Sequence, residues 1–389
     1  MNQRRNSGRH FLQIPGPTNV PDRVLNAIQQ PTIDHRGPGF RDLTADVLNG
    51  LGQVFQTRSK VVVFPSSGTG AWEAALVNTL SAGDRVLMYE TGHFARLWYG
   101  IAERLGLDAQ LLPGDWRHPV DPVAIGEALA KDVDHRIKAV CVVHNETSTG
   151  AMSDVAAVRA VIDETRHPAL FMVDTISSLA SIDFRHDEWG VDVTVGGSQK
   201  GLMLPPGLGL NAVSDKALAA SLDANLPRAY WNWQDMLDAN NNGFFPYTPA
   251  TNLLYGLREA LSMLLDEGLE NVFERHRRLA EATRRAVVAW QLELLCLDSA
   301  ARSHSLTAVQ FPEGVDADAF RATVLERFNM SLGNGLGGLS GRVFRIGHLG
   351  DFNDLMLIGT LGGVEMGLAA SGIAHQRGGV TAAMDYLSG

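Results

Sequence analysis

From residue 60 onward the chain alternates short, almost continuously apolar runs with longer stretches whose apolar positions recur every three to four residues. The runs VVVF (61–64), RVLMYE (85–90), KAVCVVH (138–144) and ALFMVD (169–174) predict buried strands, with a weaker one near 109–112. The stretches between them predict helices at about 69–80, 94–105, 122–130 and 155–165. A β-branched run, Val191, Val193, Thr194 and Val195, predicts a strand that empties into a glycine-rich turn at 196–201, and another strand follows at 208–213. Strands without polar alternation, separated by helices, imply an α/β fold with a mostly parallel sheet covered on both faces. Ligands of such sheets bind at the carboxyl ends of the strands, so those ends are the residues to inspect.

The flanks read differently. Pro15-Gly16-Pro17 punctuates an extended arm, Pro21 opens a short helix to about residue 29, and a loop at 34–39 precedes an amphipathic helix at about 41–55. Beyond 213, a Trp- and Asn-rich connector (230–243) leads to a long helix that Pro246-Tyr247-Thr248-Pro249 opens and that runs to about 267. A second long helix follows at about 270–290, then strands near 292–296 and 306–311, a helix at about 316–327, a strand ending at Ile346 and a helix at about 353–370. The expected organisation is an N-terminal arm (1–20) suited to packing on a partner subunit, a large domain (21–270) and a smaller C-terminal α/β domain (271–389).

With 389 residues, 45% of them hydrophobic, the chain is long enough to build two domains of this kind. Its net charge of −10 argues against nucleic acid or an anionic membrane as partner, so an anionic ligand needs a local site. No apolar run approaches the length of a membrane span. The basic first residues are not followed by an apolar signal segment, and the final residues, DYLSG, are not a peroxisomal signal, so a cytoplasmic protein is expected. Cys141 and Cys296 both lie in apolar runs and read as buried free thiols.

Chemistry gathers at the strand ends. Lys200 has no local carboxylate partner, and in this position it is either a solvated loop residue or an amine nucleophile for a Schiff base. Residues 65–71, PSSGTGA, join a strand to a helix, where glycines, hydroxyls and unpaired helix amides form a phosphate cradle or simply a capped turn. The turn lacks the lysine of a P-loop and the third glycine of a dinucleotide fingerprint. Asp174 ends an apolar strand and needs a partner; a pyridinium nitrogen would supply one, as would a capping role in the next element. Phe94 could stack on a flat ring or belong to the core. The triplet His144-Asn145-Glu146 has no second histidine at helical spacing, so no metal site is expected. A cradle, an aromatic, an aspartate and a lysine, each at a strand end, are together the set that pyridoxal 5′-phosphate requires.

At this point the chain resembles a known family. PGPT (15–18), SSGTGAWEAAL (66–76), HNETSTG (144–150), VDTISS (173–178), DEWGVDV (187–193), GSQKG (197–201), PYTPATNLLYGLRE (246–259) and FRIGHLG (344–350) resemble the class V, fold type I aminotransferases, nearest to the branch that passes an amino group from serine to glyoxylate. The resemblance implies a seven-stranded, mostly parallel sheet between helices, a smaller C-terminal α/β domain, a site at a homodimer interface, and small amino-acid and 2-oxo-acid substrates. It implies that Lys200 carries the cofactor as a Schiff base and that Asp174 pairs with the pyridine nitrogen. Ser67, Gly68 and Thr69 would hold the phosphate, Phe94 would stack on the ring, Thr147 and Gln199 would contact the cofactor, and Thr147 and Arg345 would contact substrate. In related alanine–glyoxylate enzymes a Tyr and a Thr of the neighbouring subunit reach the phosphate; here the matching positions are Phe245 and Thr248, which leaves Tyr247 as the candidate replacement for the missing hydroxyl. His35, Tyr230, Trp231 and the 333–341 loop are candidate walls of the substrate pocket. Other small donors, alanine among them, share the scaffold. Two readings compete from outside the branch: a cysteine desulfurase-type lyase, which needs a mobile exposed thiol, and a nucleotide-binding oxidoreductase using the 66–71 turn.

Overall fold

The computed structural model describes residues 8–389. A short strand, β1 (Phe11–Gln13), and two helices, α1 (Asp22–Ile28) and α2 (Pro38–Val54), precede the alternating region. That region runs β2 (Lys60–Ser66), α3 (Gly68–Thr79), β3 (Arg85–Tyr89), α4 (His93–Arg104), β4 (Asp108–Leu112), α5 (Pro122–Lys131) and β5 (Ile137–Val143). A small hairpin follows, β6 (Asn145–Glu146) and β7 (Ala151–Met152), then α6 (Val155–Glu164), β8 (Leu170–Asp174), β9 (Val193–Gly197) and β10 (Gly207–Val213). The main sheet has seven strands in the order β2-β10-β9-β8-β5-β3-β4. β10 runs antiparallel to both of its neighbours, and β9, β8, β5, β3 and β4 are mutually parallel. β2 therefore points the same way as the parallel set, and the ends Ser66, Val143, Asp174 and Gly197 open onto one edge.

The absence of polar alternation has its cause in double burial. On β5, Ala139 and Cys141 join the core under α3 and α4, while Val140 and Val142 join a separate core under α5 and α6. The first core is anchored by Trp72 of α3 stacked on Trp98 of α4, ring centroids 5.9 Å apart.

The chain continues through α7 (Asp215–Asp223), α8 (Trp233–Asn240), α9 (Thr251–Glu267) and α10 (Leu269–Ala289). A five-stranded second sheet follows in the order β1-β13-β14-β12-β11, built from β11 (Glu293–Leu294), β12 (Leu306–Gln310), β13 (Met330–Asn334), β14 (Val343–Gly347) and the N-terminal β1, which pairs in parallel with β13. Helices α11 (Ala317–Phe328), α12 (Asp354–Ala370) and α13 (Gly379–Ser388) share an apolar core with that sheet and with the second half of α10. No described helix is long and apolar enough to cross a membrane.

Several elements depart from the sequence expectation. Gly196 and Gly197 belong to β9 and not to the turn, paired with Leu210 and Gly209 of β10; a Cβ on Gly196 would stand 3.0 Å from Leu179 Cδ2, so glycine admits the packed segment behind it. α2 starts at Pro38, three residues earlier than the pattern suggested, because proline at the first helical turn forfeits no hydrogen bond. α9 starts at Thr251, after Pro249. The Trp- and Asn-rich connector contains α8, capped by the Asn232 side chain on Gln234 N–H and anchored by buried Trp233 and Met236. α7, β13 and α13 were not anticipated, and the first two residues of the 333–341 loop, Gly333 and Asn334, complete β13. Residues 1–7 of the arm lie outside the described residues.

Candidate functional site

Lys200 lies in the turn three residues past the end of β9, and it is 8% exposed, one of only two buried Lys or Arg residues among those described; the other is Arg345. Its Nζ donates to the Pro15 carbonyl, and no carboxylate lies within ion-pair distance of it among the described residues. The N-terminal arm is fitted closely over this lysine. A Cβ on Gly16 would lie 2.4 Å from Lys200 Cδ, while Thr18 N–H donates to Gln199 O at 3.1 Å and Thr18 Oγ1 donates to Lys200 O at 3.3 Å. Burial pushes the Lys200 ammonium down to about 7, assisted by the positive field of Arg345 and opposed by Asp174 and Glu146. An amine of which about half is neutral near pH 7 is a competent nucleophile and proton carrier.

Asp174 closes the adjacent strand, β8, at 4% exposure. Its Oδ1 accepts from Ile176 N–H at 2.6 Å, and no cation comes within ion-pair reach among the described residues. Burial raises the carboxyl to about 7; the Ile176 N–H favours the charged form, Glu146 opposes it, and the Trp72 N–H, short of hydrogen-bond geometry, favours it weakly. A buried carboxylate held only by one amide fits a ligand carrying an N–H⁺.

The turn between β2 and α3 offers the cradle. Ser67 does not cap α3 with its side chain, so the hydroxyls of Ser67 and Thr69 and the first amides of a twelve-residue helix are free for an anion. Glycine is needed here on steric grounds: a Cβ on Gly68 would meet Ile176 Cδ1 at 2.2 Å, and one on Gly70 would meet Ser66 Oγ at 2.1 Å and Trp231 Cη2 at 2.6 Å. Trp231 thus borders the cradle, and exposed Tyr230 donates to Pro65 O at 3.3 Å. Gln199 leaves its Oε1 buried without a partner beside Gly197.

At the end of β5 the hairpin residues Asn145, Glu146 and Thr147 are all buried. Asn145 Nδ2 donates to Ser177 Oγ (2.7 Å) and Ser305 Oγ (3.0 Å), which ties the loop after β8 to the segment before β12. Arg345, on β14, donates from Nε to Asn334 O and from Nη1 to Thr147 O, each at 2.8 Å, leaving Nη2 without a bond among the described residues. A Cβ on Gly333 would lie 3.0 Å from Arg345 Cβ, so that glycine makes room for the arginine. Burial lowers the Arg345 guanidinium to about 10, and it remains charged at neutral pH. Half-buried Phe94 sits in the first turn of α4, edge-on to His93 at 5.6 Å.

Not every predicted residue converges. Thr248 is exposed and makes no hydrogen bond within the described chain; Phe245 is core, edge-on to Phe40 at 5.9 Å; the Tyr247 hydroxyl donates to Tyr230 O at 3.4 Å. His35 makes its contact with Arg36, at 3.0 Å. Sequence reasoning passed over Gly16 and the Pro15 carbonyl as features of a plain arm, and over Glu146 as part of a triplet unsuited to metal. Cys296 is 4% exposed, and burial raises its thiol to about 11, so it is no mobile thiolate.

Asp174 and Lys200 act on stability in opposite directions. Asp174, raised from 3.8, keeps its proton in the folded chain, so its contribution is complete below pH 3.8 and lost as the pH rises through about 7. Lys200, lowered from 10.5, contributes fully above pH 10.5, and that contribution is lost as the pH falls through about 7. The Tm of the cofactor-free protein should therefore carry a dip near pH 7 that disappears in the double variant Asp174→Asn, Lys200→Met; matching Tm profiles from pH 5.5 to 9 would remove the assignment.

Comparison with known proteins agrees with this geometry. Residues 10–337 match the family model described as aminotransferase class-V. The chain is 48% identical over 390 residues to the serine–glyoxylate aminotransferase of Methylorubrum extorquens, covering 98% of this chain and 97% of that one. It is 45% identical over 375 residues to the L-aspartate–glyoxylate aminotransferase of Paracoccus denitrificans, covering 96% and 95%. Among solved structures, the ureidoglycine–glyoxylate aminotransferase of Bacillus subtilis superposes with a TM-score of 0.91 at 27% identity over the whole of both chains. The buried lysine and aspartate at neighbouring strand ends, the anion cradle and the match over most of the chain together place this protein in the class-V aminotransferases, enzymes that use pyridoxal 5′-phosphate.

Proposed function

We propose that the chain passes the amino group of L-serine to glyoxylate, giving hydroxypyruvate and glycine, in a ping-pong sequence centred on Lys200. The observation that carries this reading is the buried Lys200 amine, poised near neutrality at the end of β9 with Asp174 on the next strand and a single buried arginine nearby. When bound, pyridoxal 5′-phosphate supplies the electron sink that makes a Cα proton acidic. Ser67, Gly68 and Thr69 would hold its phosphate, Asp174 would pair with its ring nitrogen, Phe94 would pack against the ring, and Thr147 and Gln199 would contact its remaining polar groups. Lys200 Nζ carries the proton, and Arg345 Nη2, left free by the Asn334 and Thr147 carbonyls, takes the substrate carboxylate.

The single buried guanidinium bears on the donor. A dicarboxylic donor such as aspartate needs a second cation for its side chain, and among the described residues none is buried beyond Lys200 and Arg345. Serine needs only a hydroxyl partner. Exposed Thr248 supports a homodimer in which it completes the neighbouring cradle. An absorbance titration with L-serine, L-alanine and L-aspartate, without an oxo acid, tests the donor. We expect L-serine to bleach the visible band at the lowest concentration and glyoxylate to restore it; a protein that responded first to aspartate would overturn the serine assignment and retain the family.

A further inference from the structure

One buried carboxylate has no part in that reaction. Glu146 is fully buried, and no lysine or arginine lies within ion-pair distance of it among the described residues. A charge so placed survives only with a full set of donors, and the start of α4 provides it. Oε1 accepts from Phe94 N–H at 3.3 Å, from Ser148 N–H at 3.0 Å and from the Ser148 hydroxyl at 2.6 Å; Oε2 accepts from Ala95 N–H at 3.1 Å. The same Ser148 hydroxyl accepts from His93 N–H at 2.9 Å. The fit extends to Gly92, where any Cβ would stand 2.4 Å from Ser148 Oγ and 2.5 Å from Glu146 Cγ. One end of this arrangement is thus Phe94, at the first turn of α4. The other is the next residue, Thr147, whose carbonyl accepts from Arg345 Nη1 at 2.8 Å.

We propose that Glu146 is a positioning residue: clamped by the amides that open α4, it holds Phe94 and the Thr147 carbonyl that grips Arg345 in one fixed arrangement. This rests on the pyridoxal-phosphate reading above, since Phe94 and Arg345 then face ring and substrate. The carboxylate also sets charge at longer range, favouring the protonated forms of Lys200 and Arg345 and opposing ionisation of Asp174.

Glu146→Gln tests the proposal because it keeps shape while removing charge. All four contacts come from donors, so the new amide NH2 replaces Oε2 and meets the Ala95 N–H donor to donor. The variant should fold and take up the cofactor in wild-type stoichiometry. Its visible circular dichroism per unit absorbance should fall at least about twofold, KM for glyoxylate should rise about tenfold and kcat should fall less than about threefold. The pH midpoint of the visible band should move down, because an anion near Lys200 has gone. Wild-type dichroism, KM and band midpoint would overturn the proposal, as would a lowered Tm and kcat with KM and midpoint unchanged. Should Glu146→Gln fail to fold, Ser148→Ala decides, because it cuts the hydroxyl's links to His93 N–H and Glu146 Oε1 and leaves the carboxylate: the dichroism and KM changes should appear at smaller size with the band midpoint unmoved, and their absence overturns the idea. A wild-type protein that never takes up pyridoxal 5′-phosphate sinks the functional reading itself, a result distinct from either.

Discussion

Lys200→Ala should abolish turnover, lowering kcat by about four orders of magnitude or more, while the chain still folds. The side chain is one of two buried cations in the described chain; it donates one hydrogen bond, to the Pro15 carbonyl, and packs closely against Gly16. Burial already holds the amine far below its ordinary value, to about 7, so removing it relieves a desolvation penalty and leaves only a small void beneath the arm. The loss therefore falls on chemistry. No other lysine is buried, so no second amine can take over the proton at the substrate Cα. A small amine in solution fits the void and should restore part of the rate, in proportion to its basicity and inversely to its bulk. Single-turnover absorbance with L-serine, with and without methylamine, measures both effects. A variant that turned over at the wild-type rate would place the catalytic base elsewhere and remove the basis for the proposed reaction.

How far the sequence anticipates this site follows from where each group takes its surroundings. Asp174 ends, and Lys200 follows within three residues, a strand buried on both faces, and runs such as FMVD and VTV announce burial without knowledge of any partner, so their positions were legible. The cradle was legible for the same reason: glycine and hydroxyl residues at 66–70 mark a strand-to-helix turn wherever they occur. Glu146 was not, because its meaning depends on α4, fifty residues earlier in the chain, closing onto it. Gly16 was equally opaque, since only the tertiary fold lays the arm over Lys200. The secondary structure follows the same division. α8 hides in a segment dominated by Asn and Trp because its two anchors, Trp233 and Met236, acquire a helical face only against the core they fill. β13, with the sequence MSLGN, lacks a strand's apolar run because its pairing, between β1 and β14, supplies what its composition does not.

Asp174→Asn separates the two things this carboxylate does, and it should move them in opposite directions. The amide keeps the volume and, through Oδ1, the bond from Ile176 N–H at 2.6 Å. What disappears is the negative charge, which burial has made expensive: the carboxyl is raised from 3.8 to about 7, a shift equivalent to as much as about 4 kcal/mol at alkaline pH. Since the unfolded carboxyl ionises above pH 3.8 while the folded one holds its proton to near 7, the penalty is absent below pH 3.8, grows steadily from there and is complete above about pH 7. Cofactor-free Asp174→Asn should therefore melt a few degrees above the wild type at pH 8.5, by a smaller margin at pH 5, and level with it below pH 3.8. Activity should fall by about a thousandfold in kcat, because a neutral amide cannot keep a ring nitrogen protonated, while KM for glyoxylate, governed by Arg345 on another sheet, should change less than about threefold. A variant both less stable at pH 8.5 and catalytically intact would mean that Asp174 is a structural cap on the segment after β8. A variant more stable and inactive would mean that the fold carries an unfavourable buried charge at this strand end for the sake of the reaction, which is the relation between stability and function that the geometry of Asp174 implies.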